Sequence, residues 1–121
     1  MSDNGHNAVK EKRRESDLYK PILEFLNFRP YTFAWRSGNH AVFDFRRQVY
    51  RKRAEHEKGM PDILGVKMKP QGGVPFCFEV KLEGEKATDH QIEWMRKFTT
   101  CGGIAYIVNN LEDVVTAWSE I

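Results

Sequence analysis

Residues 76–83 read Phe76-Cys77-Phe78-Glu79-Val80-Lys81-Leu82-Glu83. The side chains change character at every step. Phe76, Phe78, Val80 and Leu82 fall on one side, and Cys77, Glu79, Lys81 and Glu83 on the other. That period of two belongs to a β-strand with one face on a core. The polar side carries an acid and a base two residues apart, so Glu79 and Lys81 project the same way. Upstream, residues 62–67 read as a second strand, and residues 70–75, with Gly72-Gly73, as the turn between them. Two strands on a short connection make a hairpin. Asp62 begins the neighbouring strand, where a modest twist brings its carboxylate toward Glu79.

Downstream, Thr88 opens a helix with Gln91 in capping-box position. Ile92, Met95 and Phe98 line its apolar face, and Gly102-Gly103 ends it. Residues 104–108 are a short apolar run that fits a buried strand. Asn109-Asn110 turns the chain into a last helix with Leu111, Val114, Val115 and Trp118 on one face. Toward the N-terminus, residues 11–27 carry Glu15, Leu18, Ile22, Phe25 and Leu26 at helical spacing. Pro21 interrupts that pattern; a mid-helix proline costs about 3 kcal/mol and removes a donor, so the helix either kinks there or starts near Ser16 or Asp17. Residues 31–36 are aromatic-rich and read as a strand. Residues 37–58 show no clear period and hold a basic run, Arg46, Arg47, Arg51, Lys52 and Arg53, interleaved with Phe45 and Tyr50. The order of helix, strands, helix, strand, helix defines a mixed α/β fold.

A chain of 121 residues, 40% of them hydrophobic, suits one domain with one core. The expected division is a disordered stretch over residues 1–10 and a single domain over 11–121. A net charge of +2 is too small to identify a partner, so the distribution of charge matters more than its sum. Cys77 and Cys101 form no CxxC pair, and His6, His40, His56 and His90 are scattered, which leaves no zinc site with four clustered ligands. A disulfide framework is equally unsupported. No apolar run approaches the roughly 20 residues that span a bilayer, and residues 1–10 lack the apolar stretch of a signal peptide. The expectation is a cytoplasmic protein, of a bacterium or of a phage in its bacterial host, with no membrane partner.

Asp62, Glu79 and Lys81 carry the chemistry. Two carboxylates held close repel, and one tends to stay protonated. A divalent cation removes that conflict: Mg²⁺ takes oxygen ligands and commonly uses one or two carboxylates with water and substrate phosphate. Such an ion polarises a phosphoryl oxygen and acidifies a water. Lys81 beside it could position that water or stabilise charge building on phosphorus. These parts suit phosphodiester hydrolysis. On spacing alone, a polar strand face in water explains the three residues equally well.

The stretch Gly59-Met60-Pro61-Asp62-Ile63-Leu64-Gly65, followed by Phe78-Glu79-Val80-Lys81 and then Gln91, resembles the PD-(D/E)XK nuclease superfamily. Within it, the chain resembles the VRR-NUC family of stand-alone, phage-type nucleases. Pro61-Asp62 matches the PD element, Glu79-Val80-Lys81 matches ExK, and Gln91 matches a downstream glutamine. The resemblance implies a restriction-endonuclease-like α/β fold, with a central mixed sheet flanked by helices in α-β-β-β-α-β order. It implies Mg²⁺ or Mn²⁺ held by Asp62, Glu79 and the Val80 carbonyl, together with an acid on the first helix. Glu15 shares the apolar stripe with Leu18 and Ile22 and so faces the sheet, whereas Glu24 groups with Lys20 and Asp17 on the outer side; Glu15 is the choice. The resemblance further implies an endonuclease acting on DNA, selective for Holliday junctions or other branched forms, and working as a homodimer whose two-fold axis suits paired cuts. Two rivals stand beside it: a DNA-binding module without catalysis, and a nuclease for flaps, nicked duplex or RNA.

Several residues keep two readings. Gln91 is explained by capping alone, and a side chain that caps fully is expected not to contact a ligand as well. Arg36 could hold a phosphate or simply be a solvated strand end. The basic run from Arg46 to Arg53 could clamp a DNA backbone through phosphate contacts. Since Glu55 and Glu57 follow, a solvated helix of mixed charge fits it equally. His40 reads as incidental, Cys77 as packing near the site, and Trp94 as a core or surface aromatic rather than a stacking platform.

Overall fold

Strand alternation places the middle of the fold. In the computed structural model, which describes residues 14–38, 42–51 and 58–121, residues 72–80 form an inner strand of a four-stranded sheet. The elements in chain order are α1 (Ser16–Asn27), β1 (Thr32–Arg36), β2 (Val42–Asp44), β3 (Val49–Arg51), β4 (Ile63–Lys69), β5 (Gly72–Val80), α2 (Asp89–Thr100), β6 (Ile104–Val108) and α3 (Leu111–Trp118). The sheet order is β1-β4-β5-β6. The first two pairings are antiparallel and β5–β6 is parallel, with α2 as the crossover that a parallel pair requires. This mixed open sheet with three helices is a restriction-endonuclease-like α/β core.

Phe76, Phe78 and Val80 lie on one face of β5 with no exposure. Ile63 and Ala34 continue that face across β4 and β1. Leu18, Ile22 and Leu26 of α1, and Val114 and Ala117 of α3, pack into the same core cluster. Fully burying side chains of this size contributes about 1.5–3 kcal/mol each, which is why α1 persists despite Pro21 in its interior. The Phe76 ring meets Phe78 and Trp118 edge-on at 5.7 and 5.5 Å. Gly65, opposite Phe76 in the register, leaves room for that ring: an added Cβ would fall 2.3 Å from it.

Five expectations need correction. The hairpin turn is Pro70-Gln71, not residues 70–75, because Lys69 pairs with Gly72 and Met68 with Gly73. Proline presets the φ of the first corner of a tight turn, and Gly72 takes a φ of +128° that favours glycine. Pro75 lies inside β5, but beyond the start of β6 opposite Phe76, where a missing N–H is tolerated. Second, β5 ends at Val80; Lys81 and Leu82 have left the strand, although the Lys81 N–H still donates to the Val108 carbonyl at 2.9 Å. Third, Arg46 to Arg51 do not lie on a helix. They belong to a hairpin, β2–β3, whose turn at residues 45–48 is closed by the Gln48 side-chain amide donating to the Phe45 carbonyl at 2.8 Å. Fourth, α2 buries none of its residues, and Ile92 is 54% exposed. Fifth, Val115 is exposed, and Ala117 takes its place on the buried side of α3.

The helix ends follow their local chemistry. Gly102 has a φ of +99°, and the Gly102 and Gly103 N–H groups return to the carbonyls of Thr99 and Phe98, so a Schellman turn stops α2. Asn110 caps α3 by accepting from the Asp113 N–H at 2.8 Å. The first helix begins at Ser16, in agreement with the later of its two expected starts; residues 1–13 lie outside the described residues.

Candidate active site

The β4–β5 register brings the acids together. Ile63 pairs with Phe78, so one step further along both strands sets Asp62 opposite Glu79. Directly opposed residues share a face of the sheet with Cβ atoms about 4.5–5.5 Å apart. The β1–β4 pairing extends the same way: the Ser37 N–H donates to the Asp62 carbonyl at 2.8 Å, and the Ser37 hydroxyl donates to the Pro61 carbonyl. The Asp62 backbone is therefore tied to the end of β1. Its side chain is fixed too. One carboxylate oxygen, Oδ1, accepts from the Tyr19 hydroxyl at 3.0 Å, and Oδ2 accepts from the Val80 N–H at 2.9 Å.

Glu79 is 1% exposed. Its Oε2 accepts from Gln91 Nε2 at 2.9 Å and lies 3.5 Å from the Lys81 ammonium. Its Oε1 is buried and has no hydrogen-bond partner. Burial first, and then the charge of Asp62, push the Glu79 carboxyl up to about 8, while Lys81 pulls the other way. Cys77, buried on the same side of β5, has its thiol pushed up to about 12 by burial and by Glu79. It packs near the site as an inert thiol.

Gln91 is placed by its own cap. Its backbone N–H donates to Thr88 Oγ1 at 3.2 Å, and its Oε1 accepts from the Thr88 N–H at 2.8 Å. The amide has two ends: Oε1 caps the helix and Nε2 holds Glu79, so beyond its cap Gln91 meets an acid of the site. The loop before Asp62 is pressed against this turn. Gly59 has a φ of +84°, and a Cβ there would fall 2.2 Å from the His90 carbonyl oxygen and 2.7 Å from the Gln91 nitrogen.

Glu15, at the start of α1, borders an adjoining cleft of about 550 Å³ with Tyr19, Arg36, Leu82 and Glu85. Burial, hydrogen bonding to Glu85 and the charges of Glu85 and Asp62 raise it to about 7, against the pull of Lys81. Glu24 is exposed on the outer side. The Arg36 guanidinium lies 4.3 Å over the Tyr19 ring, so it is stacked at the rim of this cleft rather than loose at a strand end. Arg46 and Arg47 are exposed on the β2–β3 turn, and Arg51 is in β3. Lys52, Arg53 and His40 lie outside the described residues. Trp94 is half-buried and stacks on Phe98 at 5.0 Å.

Tyr19 and Ser37 were not expected at the site. Tyr19 is four residues after Glu15, one turn along the same helix face, and that spacing is a signal that could have found it. Ser37 carries no such signal.

Among the described residues, no three Cys, His, Asp or Glu side chains stand close enough to share one ion. The donor set to weigh is therefore Asp62, Glu79 and the Val80 carbonyl. These are hard oxygens, the kind Mg²⁺ takes a few at a time while keeping water. The unpartnered Glu79 Oε1 is the buried acceptor that a cation would satisfy. The residues fit the ion.

A mixed sheet that sets an Asp at the end of one strand opposite an acid on the next, with a lysine two residues on, defines a nuclease-type α/β domain. The VRR-NUC domain family matches residues 9–110, and the chain belongs to that family. No curated protein and no solved structure matches the chain. Family membership gives it a nuclease-type function with DNA as substrate. Among the described residues, no helix is long and apolar enough to cross a membrane.

Proposed function

We propose that the chain is a divalent-cation-dependent endonuclease that hydrolyses DNA phosphodiester bonds. Asp62, Glu79 and the Val80 carbonyl would hold Mg²⁺ or Mn²⁺. The observation that carries this is the buried pair itself: Glu79 opposite Asp62, with an unpartnered oxygen and a lysine at 3.5 Å. An acid pair this costly to bury is better explained by a cation than by core packing. When bound, the ion polarises a phosphoryl oxygen and acidifies a water.

The chain's own residues do the rest. Tyr19 and the Val80 N–H aim Asp62. Gln91 fixes Glu79 and leaves Lys81 to set a positive charge where negative charge collects on the scissile phosphate. Glu15 is the outer acid of the site, titrating near neutrality at the cleft. Arg36, on its Tyr19 platform, would take a substrate phosphate, and Arg46, Arg47, Arg51, Lys52 and Arg53 would contact the backbone of the duplex. The substrate we assign is branched DNA, cut by a homodimer; an exposed apolar sheet face at Phe33 and Met68 favours a second copy.

Labelled four-way junction, flap, nicked duplex, single-stranded DNA and RNA, each with Mg²⁺, Mn²⁺ or EDTA, test the proposal together. Metal-dependent cutting of branched DNA is expected. Lys81→Ala and Asp62→Asn should lower cutting at least about a hundredfold while DNA binding stays within a few-fold of wild type. Cutting of no substrate with either metal sinks the enzyme assignment and leaves a binding module. Wild-type rates in Lys81→Ala mean the site is elsewhere.

A further inference from the structure

Tyr19 stands between the acid that would hold the cation and the guanidinium that would hold a substrate phosphate. It lies near the start of α1 and is 8% exposed. Its hydroxyl donates to Asp62 Oδ1 at 3.0 Å, and the Arg36 guanidinium lies 4.3 Å from the centroid of its ring. The two contacts use different parts of one rigid group: the first needs a donor at the ring's tip, the second only a π face. The sheet brings both targets within reach, because Arg36, at the end of β1, pairs with Ile63, the residue after Asp62. Two clefts, of about 510 and 550 Å³, meet along Ser16, Tyr19 and Arg36. Arg36 is exposed there, so a phosphate can reach it from solvent.

Each contact matters for its own reason. Both carboxylate oxygens of Asp62 accept a bond from within the chain, Oδ1 from Tyr19 and Oδ2 from the Val80 N–H. Two such bonds fix the plane of the carboxylate, where one would leave it free to turn. A cation held by few protein ligands depends on that plane, and groups behind a metal ligand typically change metal affinity about ten- to a hundredfold. A phenol keeps its proton at neutral pH, so the hydroxyl is a constant donor. Arg36 has a flexible stem, and a ring beneath its planar fork holds that fork in place before a phosphate arrives. Phenylalanine at position 19 would keep the face and lose the donor. An aliphatic residue would lose both.

We infer that Tyr19 is a positioning residue for two subsites at once: its hydroxyl aims Asp62 for the divalent cation, and its ring seats Arg36 for a phosphate of the substrate strand. This rests on the nuclease assignment and deepens it, because cation affinity and DNA affinity become separable at a single position.

Two binding measurements on the full chain test it without cleavage: Mn²⁺ affinity by calorimetry in the absence of DNA, and affinity for a labelled four-way junction in EDTA. Tyr19→Phe should weaken Mn²⁺ binding about tenfold and leave junction binding within about twofold of wild type. Arg36→Ala should do the reverse, weakening the junction about tenfold and leaving Mn²⁺ alone. Tyr19→Leu should weaken both, the junction about threefold. The ring's share shows in combination: Arg36→Ala should cost about tenfold in wild type and no more than about threefold in Tyr19→Leu, where the seat has already gone. Tyr19→Phe keeps the packing of the ring, so it tests the hydroxyl even if Tyr19→Leu fails to fold. Unchanged Mn²⁺ affinity in Tyr19→Phe overturns the inference, as does an undiminished tenfold loss when Arg36→Ala is added to Tyr19→Leu. A parallel loss of Mn²⁺ and junction binding in Tyr19→Phe, with a lower melting temperature, overturns it too and leaves Tyr19 a packing residue. All three results leave the nuclease assignment standing. Wild type that binds no Mn²⁺ overturns both the cation assignment and this inference.

Discussion

Gln91 divides its two ends between stability and chemistry, and substitution can separate them. Gln91→Glu keeps an acceptor for the Thr88 N–H but loses the donor to Glu79 and sets a like charge beside it. Its thermal stability should stay near wild type while cutting falls at least about tenfold. Gln91→Ala loses both ends, and should also lose about 1 kcal/mol of stability as the cap goes. Glu79 makes a second residue-scale prediction, with a definite sign. In the metal-free protein its carboxyl is raised from 4.5 to about 8, and Glu15 is raised to about 7. Between those values the folded chain holds protons that the unfolded chain has released. The contribution of these two carboxyls to stability is therefore fully present below about pH 4.5, falls as pH rises to about 8, and levels off above. In EDTA, Glu79→Gln should match wild type near pH 5 and melt at least about 4 °C higher at pH 8, a difference of about 1 kcal/mol. A wild-type melting temperature flat over this range would show that Glu79 is not buried in the way described. Mg²⁺ should narrow the gap at pH 8 by stabilising the ionised pair of wild type.

At the scale of elements, the site depends on one close approach. The loop at Gly59 meets the first turn of α2 backbone to backbone, which ties Asp62 to the helix that carries Gln91. Gly59→Ala must displace either the loop or the helix, and its φ of +84° adds strain for any L side chain. The expected loss is more than about 1 kcal/mol in unfolding free energy, with cutting reduced further than stability explains. Full activity in Gly59→Ala would mean that the two elements move independently. The elements themselves differ in how far the sequence reveals them. β5 is legible because each residue of 76–80 reports its face, and the caps at Thr88, Asn110 and Gly102 mark helix ends by chemistry that acts within a few residues. The β2–β3 hairpin is not legible: its strands are three residues long, and its charges follow a turn rather than a period. The α2 stripe reads as a buried face, yet the helix covers little of the sheet, because an apolar period shows which side is sticky and not whether anything lies against it. Asp62 and Glu79 could be paired from the sequence only by guessing the turn, and moving that turn to Pro70-Gln71 is what sets them directly opposite.

Across the whole molecule, α1 and α3 cover one face of the sheet, and the other face is left open toward β1. There Phe33 pairs with Val66, and the Met68 N–H donates to the Tyr31 carbonyl, so register alone makes Tyr31, Phe33, Trp35, Val66 and Met68 neighbours. Tyr31 is 82% and Phe33 68% exposed, and Phe33 packs on Trp35 at 5.4 Å. Monomers rarely expose a contiguous apolar patch of more than a few hundred Å². Strand β1 is an edge of this sheet, but the Asn27 side chain takes both the N–H and the carbonyl of Ala34, so the apolar face rather than the strand edge invites association. A two-fold dimer across this face would cover it, and would give one assembly two active sites for the two strands of a branched substrate. Phe33→Asp and Met68→Lys should each move the protein from dimer to monomer at micromolar concentration, read by light scattering after size exclusion. Paired cutting of a four-way junction should then give way to single nicks, because Asp62, Glu79 and Lys81 remain intact in each copy. Wild type that stays monomeric at every concentration would remove the dimer, and the open face would then have to meet DNA or another protein.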